Sequence, residues 1–297
     1  MEEASKSLII MELMENFSGR NLPYIDVQEH LKKSGLRVPE IYGFDGNEKY
    51  LLLEDLGDET METRLSFLND KEKKSLYKKA IDLLIQLQIE ASIPKEPKSI
   101  AFTLAFDVDK FMFELNFFRE HYIEGLLKLK ISNDELNNLN NEFLKLSKKL
   151  AREPRVFAHR DYHSRNLMVF GDELAMVDFQ DARMGLCQYD LASLLRDSYV
   201  VLDDSMRDEL VEYYICRIDN HYGRNTDKDE FRKTFDLMSV QRNIKAIGTF
   251  AFQKVVKGND RYLKYIPATL KYVKENLDKH KELKGLKLIL YKYITFP

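Results

Sequence analysis

The 297 residues contain no tryptophan, only two cysteines, and no apolar run approaching the length of a membrane-spanning helix. Each absence excludes something. Without tryptophan, a cage for a quaternary ammonium group loses its preferred aromatic face, and the 16 tyrosines are the only substitute of comparable polarity. Cys187 and Cys216 are too few for a disulfide framework or a zinc cluster, and are expected as two buried thiols in a reducing compartment. The first ten residues, MEEASKSLII, begin acidic and hold a short apolar stretch, which does not fit a secretory signal. A cytoplasmic location and no membrane contact are therefore expected. An excess of one charge is also lacking. The 46 Lys+Arg and 49 Asp+Glu leave −3, which argues against a protein that coats nucleic acid. What remains, 32% charged and 44% apolar, suits a globular protein of one large domain or two lobes.

Leu8–Met11 has strand character. A helix is predicted over Asn21–Ser34, with Gly35 as its stop. Val38–Phe44 and Tyr50–Glu54, separated by Asp45-Gly46-Asn47, predict a hairpin. From about Lys71 to Ile89 the period becomes helical, with Leu76, Ala80, Leu83, Leu84 and Leu87 on one face. Two further helices are expected within 107–130 and 134–151. Helices resume near Leu191 and continue through 204–221, 229–256 and 266–276. The change of character near residue 55 divides the chain into a small β-containing lobe, 1–55, and a larger, mostly helical lobe, 56–297. The lysine clusters alternate with apolar residues and predict solvated helix faces.

Between these helices lies the segment that carries chemistry, His159 to Tyr199. Leu167–Phe170 and Leu174–Val177 flank the turn dipeptide Gly171-Asp172. Paired as an antiparallel hairpin, they set position 166 opposite 177, 178 or 179, according to whether the loop has two, three or four residues. Asn166 and Asp178 then stand side by side at the open end. An amide oxygen beside a carboxylate is the hard, oxygen-only donor set that magnesium prefers when water and phosphate complete its shell. Asp161 precedes Asn166 in a segment with no strand or helix pattern, where a loop can return its carboxylate to the same end. A proton acceptor beside two cation ligands is what phosphoryl transfer requires.

His159-Arg160-Asp161, four residues, Asn166, and then Asp178-Phe179-Gln180 resemble the catalytic loop and metal-binding triplet of the protein-kinase-like superfamily. Tyr162–Arg165 and Tyr189–Ala192 are more similar to its aminoglycoside phosphotransferase and choline kinase branch. Within that branch LLLEDLG (Leu51–Gly57), DLASLLRDSY (Asp190–Tyr199) and QRNIKAIG (Gln241–Gly248) most resemble the bacterial kinases of N-acetylmuramate and N-acetylglucosamine. The resemblance implies a two-lobed, protein-kinase-like α+β fold and an ATP- and magnesium-dependent kinase for a small-molecule hydroxyl, the anomeric one of an amino sugar. It implies Asp161 as catalytic base and Asn166 and Asp178 as magnesium ligands. Glu54 would mark the hinge, where backbone meets adenine. His163 and Arg165 are candidates for phosphate contact, a surface ion pair being the other reading of Arg165. His159 and Asp190 are expected as structural braces. Arg183, Arg196, Gln241 and Arg242 are candidates for a neutral or anionic sugar.

One feature of such folds is lacking. A glycine-containing strand pair normally covers ATP and the third strand supplies a lysine. Here the first glycine is Gly19, Ile10 and Met11 stand near the lysine position, and Lys6 comes too early. The small lobe is thus expected to be truncated, or to cover nucleotide less completely. Two alternatives stay open. Asp161, Asp181, Asp197, Asp203 and Asp204 could serve a cationic aminoglycoside, with a choline-type acceptor disfavoured by the missing tryptophan. A kinase fold that binds nucleotide without catalysis is the other.

Overall fold

A computed structural model describes residues 7–297. Residues 1–6, with which the expected small lobe begins and which include Lys6, lie outside the described residues. The elements in chain order are β1 (Leu8–Glu12), α1 (Pro23–Lys33), β2 (Ile41–Asp45), β3 (Tyr50–Glu54), α2 (Met61–Leu65), α3 (Asp70–Glu90), α4 (Val108–Phe118), α5 (Asn133–Leu150), β4 (Arg155–Ala158), β5 (Leu167–Phe170), β6 (Glu173–Met176), β7 (Arg183–Leu186), α6 (Gln188–Leu195), α7 (Asp204–Tyr222), α8 (Lys228–Val255), α9 (Ile266–Lys279) and α10 (Lys284–Tyr293). The α+β class is as expected. Two compact units divide the chain, one of the described residues up to Leu104 with Val156–Met184, the other of Ala105–Arg155 with Gly185–Pro297. No helix among the described residues is long and apolar enough to cross a membrane.

The first unit holds a three-stranded antiparallel sheet in the order β1-β3-β2. As the middle strand, β3 buries Leu51 and Leu53 from alternate positions. The β2–β3 turn forms because Asp45 Oδ1 accepts from the Asn47 and Glu48 amides at 2.9 and 3.1 Å, the local competition that stops a strand. Pro23 opens α1, and Gly35 follows its end at φ +74°, where a side chain would be strained. Asn69 and Glu72 close a capping box on α3, whose buried face centres on Tyr77, Ala80, Ile81, Leu84 and Leu87. Leu76 and Leu83, expected on that face, are only half-buried at its margins.

The second unit is built around α8. Eleven consecutive residues, Thr234 to Ile244, are buried, so this helix is covered on all sides, with α4, α6 and α9 packed against it. Gly248 permits the closest approach, since a Cβ there would lie 2.7 Å from the Phe118 backbone. After α4 the helix widens into π-type turns over Arg119–Leu126, a change that the single helical period within 107–130 did not announce. Cys187 is half-buried and Cys216 exposed, which corrects the expectation of two buried thiols.

Candidate active site

The hairpin takes the shortest of its three possible loops. Phe170 pairs with Glu173 and Leu167 with Met176, leaving Gly171 (φ +60°) and Asp172 as the turn. Asn166 therefore faces Val177, whose amide donates to the Asn166 carbonyl at 3.0 Å. Asp178 is one residue further along, and register alone would send its side chain to the other face. Instead it adopts φ +65°, a left-handed conformation that costs a non-glycine residue about 1–2 kcal/mol and re-aims the side chain. Asn166 Nδ2 then donates to Asp178 Oδ2 at 3.2 Å and to the Asp161 carbonyl at 3.0 Å. Gln180 Nε2 donates to the other Asp178 oxygen at 2.9 Å.

The loop before Asn166 folds back on itself. The His163 amide donates to the Asp161 carbonyl at 3.1 Å and the Asn166 amide to the His163 carbonyl at 2.9 Å. Buried Tyr162 anchors it through a 2.7 Å bond from its hydroxyl to the Ala80 carbonyl of α3. His159 is buried edge-on to Tyr162, with ring centroids 5.7 Å apart. Burial pulls its pKa below the ordinary 6.5, against an upward pull from the Asp161 and Asp178 carboxylates. Behind Asp178, buried Phe179 packs on Tyr24 at 4.8 Å. Burial, followed by the Asp178 charge, pushes the Tyr24 hydroxyl up to about 12.

A cleft of about 340 Å³ adjoins this cluster. Ile9, Met11 and Leu53 of the sheet and Met168 and Val177 of the hairpin give it apolar walls, and Asp178 and Gln180 add a polar one. The segment Glu54–Asp58 runs along it. The Glu54 side chain is held in an ion pair. It accepts from both ends of the Arg37 guanidinium at 2.7 and 2.6 Å, and its amide donates to the Glu40 carbonyl at 2.8 Å.

The other sequence candidates are distributed as follows. His163 is buried in the loop. Arg165 makes a two-pronged ion pair with Glu62, at 2.6 and 3.0 Å, the second of the roles considered for it. Arg183 is buried and donates to the Asp181 carbonyl at 3.3 Å. In the second unit, Asp190 is buried in α6. Arg196 pairs with Glu275 at 2.7 Å and stacks over Tyr272, Gln241 bonds Glu114 at 2.9 Å, and Arg242 bonds Ser193 at 2.9 Å. All four of these side chains are interior. Sequence reasoning missed Gln180 and Tyr24 as neighbours of Asp178. Gln180 was legible as the third residue of its triplet, whereas nothing in the sequence brought Tyr24 to it.

Residues 18–225 match the model of the phosphotransferase enzyme family. The chain belongs to this family. It is a small-molecule phosphotransferase. N-acetylmuramate/N-acetylglucosamine kinases resemble it along most of their length. That of Pseudomonas aeruginosa is 30% identical over 268 residues, 89% of this chain and 75% of the relative. That of Neisseria meningitidis serogroup B is 29% identical over 275 residues, 92% of this chain and 79% of the relative. Among solved structures, the gentamicin complex of APH(2″)-IIa shares the phosphotransferase's fold with a TM-score of 0.61 at 15% identity, over 89% of this chain and 85% of that one. The fold is the protein-kinase-like α+β one that the motifs implied.

Proposed function

We propose that this phosphotransferase moves the γ-phosphate of ATP, with magnesium, to the anomeric hydroxyl of N-acetylmuramate or N-acetylglucosamine. The observation that carries the phosphoryl-transfer reading is the pair of hydrogen bonds donated by Asn166 Nδ2, which ties the Asp161 backbone to the Asp178 carboxylate. The substrate reading rests on the relatives, which bear those sugars' names at 29% and 30% identity.

In this reading Asp161 accepts a hydrogen bond from the acceptor hydroxyl, orients it, and takes its proton as the new P–O bond forms. Asn166 and Asp178 would hold the magnesium ion. The donor set fits one, since both are hard oxygen ligands and the partners of the Asp178 carboxylate are neutral amides. When bound, the ion neutralises phosphate charge. The apolar walls of the cleft take the adenine ring, the Glu54–Gly57 backbone supplies its polar contacts, and His163 approaches the transferred phosphate. Residues 1–55 form the covering lobe and residues 56–297 the catalytic and substrate-binding lobe.

The test is a mass-spectrometric panel of amino sugars, aminoglycosides and amino alcohols incubated with ATP and magnesium. The expected result is one added phosphate on N-acetylglucosamine or N-acetylmuramate, abolished by chelation. Phosphorylation of an aminoglycoside or amino alcohol alone would replace the substrate assignment, and stabilisation by magnesium-ATP without transfer would replace catalysis by binding.

A further inference from the structure

Arg160 and Asp181 form an ion pair, Nη1 to Oδ2 at 2.6 Å, that the reaction as described does not use. Its position is informative. Arg160 immediately precedes the proposed base, and Asp181 lies three residues beyond the proposed metal ligand Asp178. Arg160 has φ +83° and Asp178 φ +65°, two of the four non-glycine residues in the left-handed region among the described residues. Two strained backbone positions therefore flank the site, one on each motif, and the ion pair spans from one motif to the other.

Both motifs are anchored from the inside. Tyr162 is tied to the Ala80 carbonyl, and Phe179 packs on Tyr24. Between these anchors the peptides carrying Asp161 and Asp178 could still rotate toward ordinary backbone angles, which would swing both carboxylates away. Asn166 resists that rotation from within the site, and the Arg160–Asp181 pair resists it from the outer side. Asp181 is itself steadied, because its carbonyl accepts from Arg183. The Asp181 side chain is 57% exposed, so the pair is screened and adds little to overall stability. Its effect is on angle.

We propose that Arg160 and Asp181 are positioning residues, a clamp that keeps Asp161 at the angle that proton transfer needs. This rests on the assignment of Asp161 as base. It also removes Asp181 from the acids available to a cationic acceptor.

The experiment compares Asp181→Asn, Asp181→Glu and Asp161→Asn with the parent for kcat, KM, thermal midpoint and amide hydrogen exchange over 159–163. Asp181→Asn is expected to lower kcat about tenfold with KM for ATP within about twofold and the midpoint unchanged, an effect equal to about 1.4 kcal/mol of barrier. Asp181→Glu is expected to recover most of it, and exchange at 160–161 to rise in Asp181→Asn alone. A kcat within twofold of the parent, or unchanged exchange, overturns the clamp. If Asp161→Asn keeps full activity, the base assignment fails instead. Should no acceptor be found, the exchange measurement still decides whether the clamp exists.

Discussion

Two polar clusters, both conspicuous in the sequence, end in opposite surroundings. At the mouth of the β5–β6 hairpin, Asp161, Asn166 and Asp178 are half-buried to exposed, and their bonds hold groups beside an open cleft. On α8, Gln241, Arg242 and Asn243 are 0–3% exposed and bond to other interior groups. A polar motif therefore indicates that something must be satisfied, and only the packing around it distinguishes a ligand from a neighbour. The hairpin cluster is strained and accessible, which is the signature of a site. The α8 cluster is interior, and each of its three side chains bonds a neighbouring interior group, which is the signature of a brace.

Substitutions in the two clusters should separate rate from stability. The largest effect is expected from Asp161→Asn, a loss of about 10²–10⁴ in kcat, with thermal stabilisation by magnesium-ATP retained. Turnover near the parent value would erase the distinction at its functional end. On α8 the converse is expected. Gln241→Leu leaves the Glu114 carboxylate, itself 3% exposed, short of a charge-assisted hydrogen bond and should cost about 1.5–3 kcal/mol in urea unfolding. Gly248→Ala drives a Cβ to 2.7 Å from the Phe118 backbone and should cost about 1–3 kcal/mol by the same measurement. If either variant is as stable as the parent but has lost turnover, α8 is part of the site and the contrast collapses.

The smallest effect is a pH dependence from His159. Burial holds its folded pKa below 6.5, so the folded protein keeps it neutral while the unfolded chain takes up a proton. The stability from this group is intact above pH about 6.5 and is lost as pH falls below it. Unfolding free energy should decline between pH 7 and 5.5, with a shallower slope in His159→Gln. An equal slope in that variant would assign the dependence to other groups, of which His30, also depressed by burial, is the first to examine.

The hairpin was legible because strands of period two around Gly171-Asp172 allow few registers, and the helices because their apolar spacing is regular. The left-handed turn at Asp178 was not legible. Register alone points that residue away from Asn166, and the left-handed conformation that brings it back sits beside the buried contact of Phe179 with Tyr24, which no local pattern announces. Nor was the interior position of Gln241, Arg242 and Asn243. A helical period is read on the assumption of one wet face, and α8 has none along eleven residues. Arg165 shows a third limit. Its partner Glu62 is 103 positions away in the chain, and no local pattern connects them.

That position 166 is an amide, not a second acid, has a consequence of its own. Two carboxylates at the observed 3.2 Å would repel and hold apart until a cation arrived to join them. An asparagine meets its neighbour as a donor, so the two side chains are held together by their own hydrogen bond. In the proposed reading, less of the nucleotide's affinity would be consumed in bringing them together.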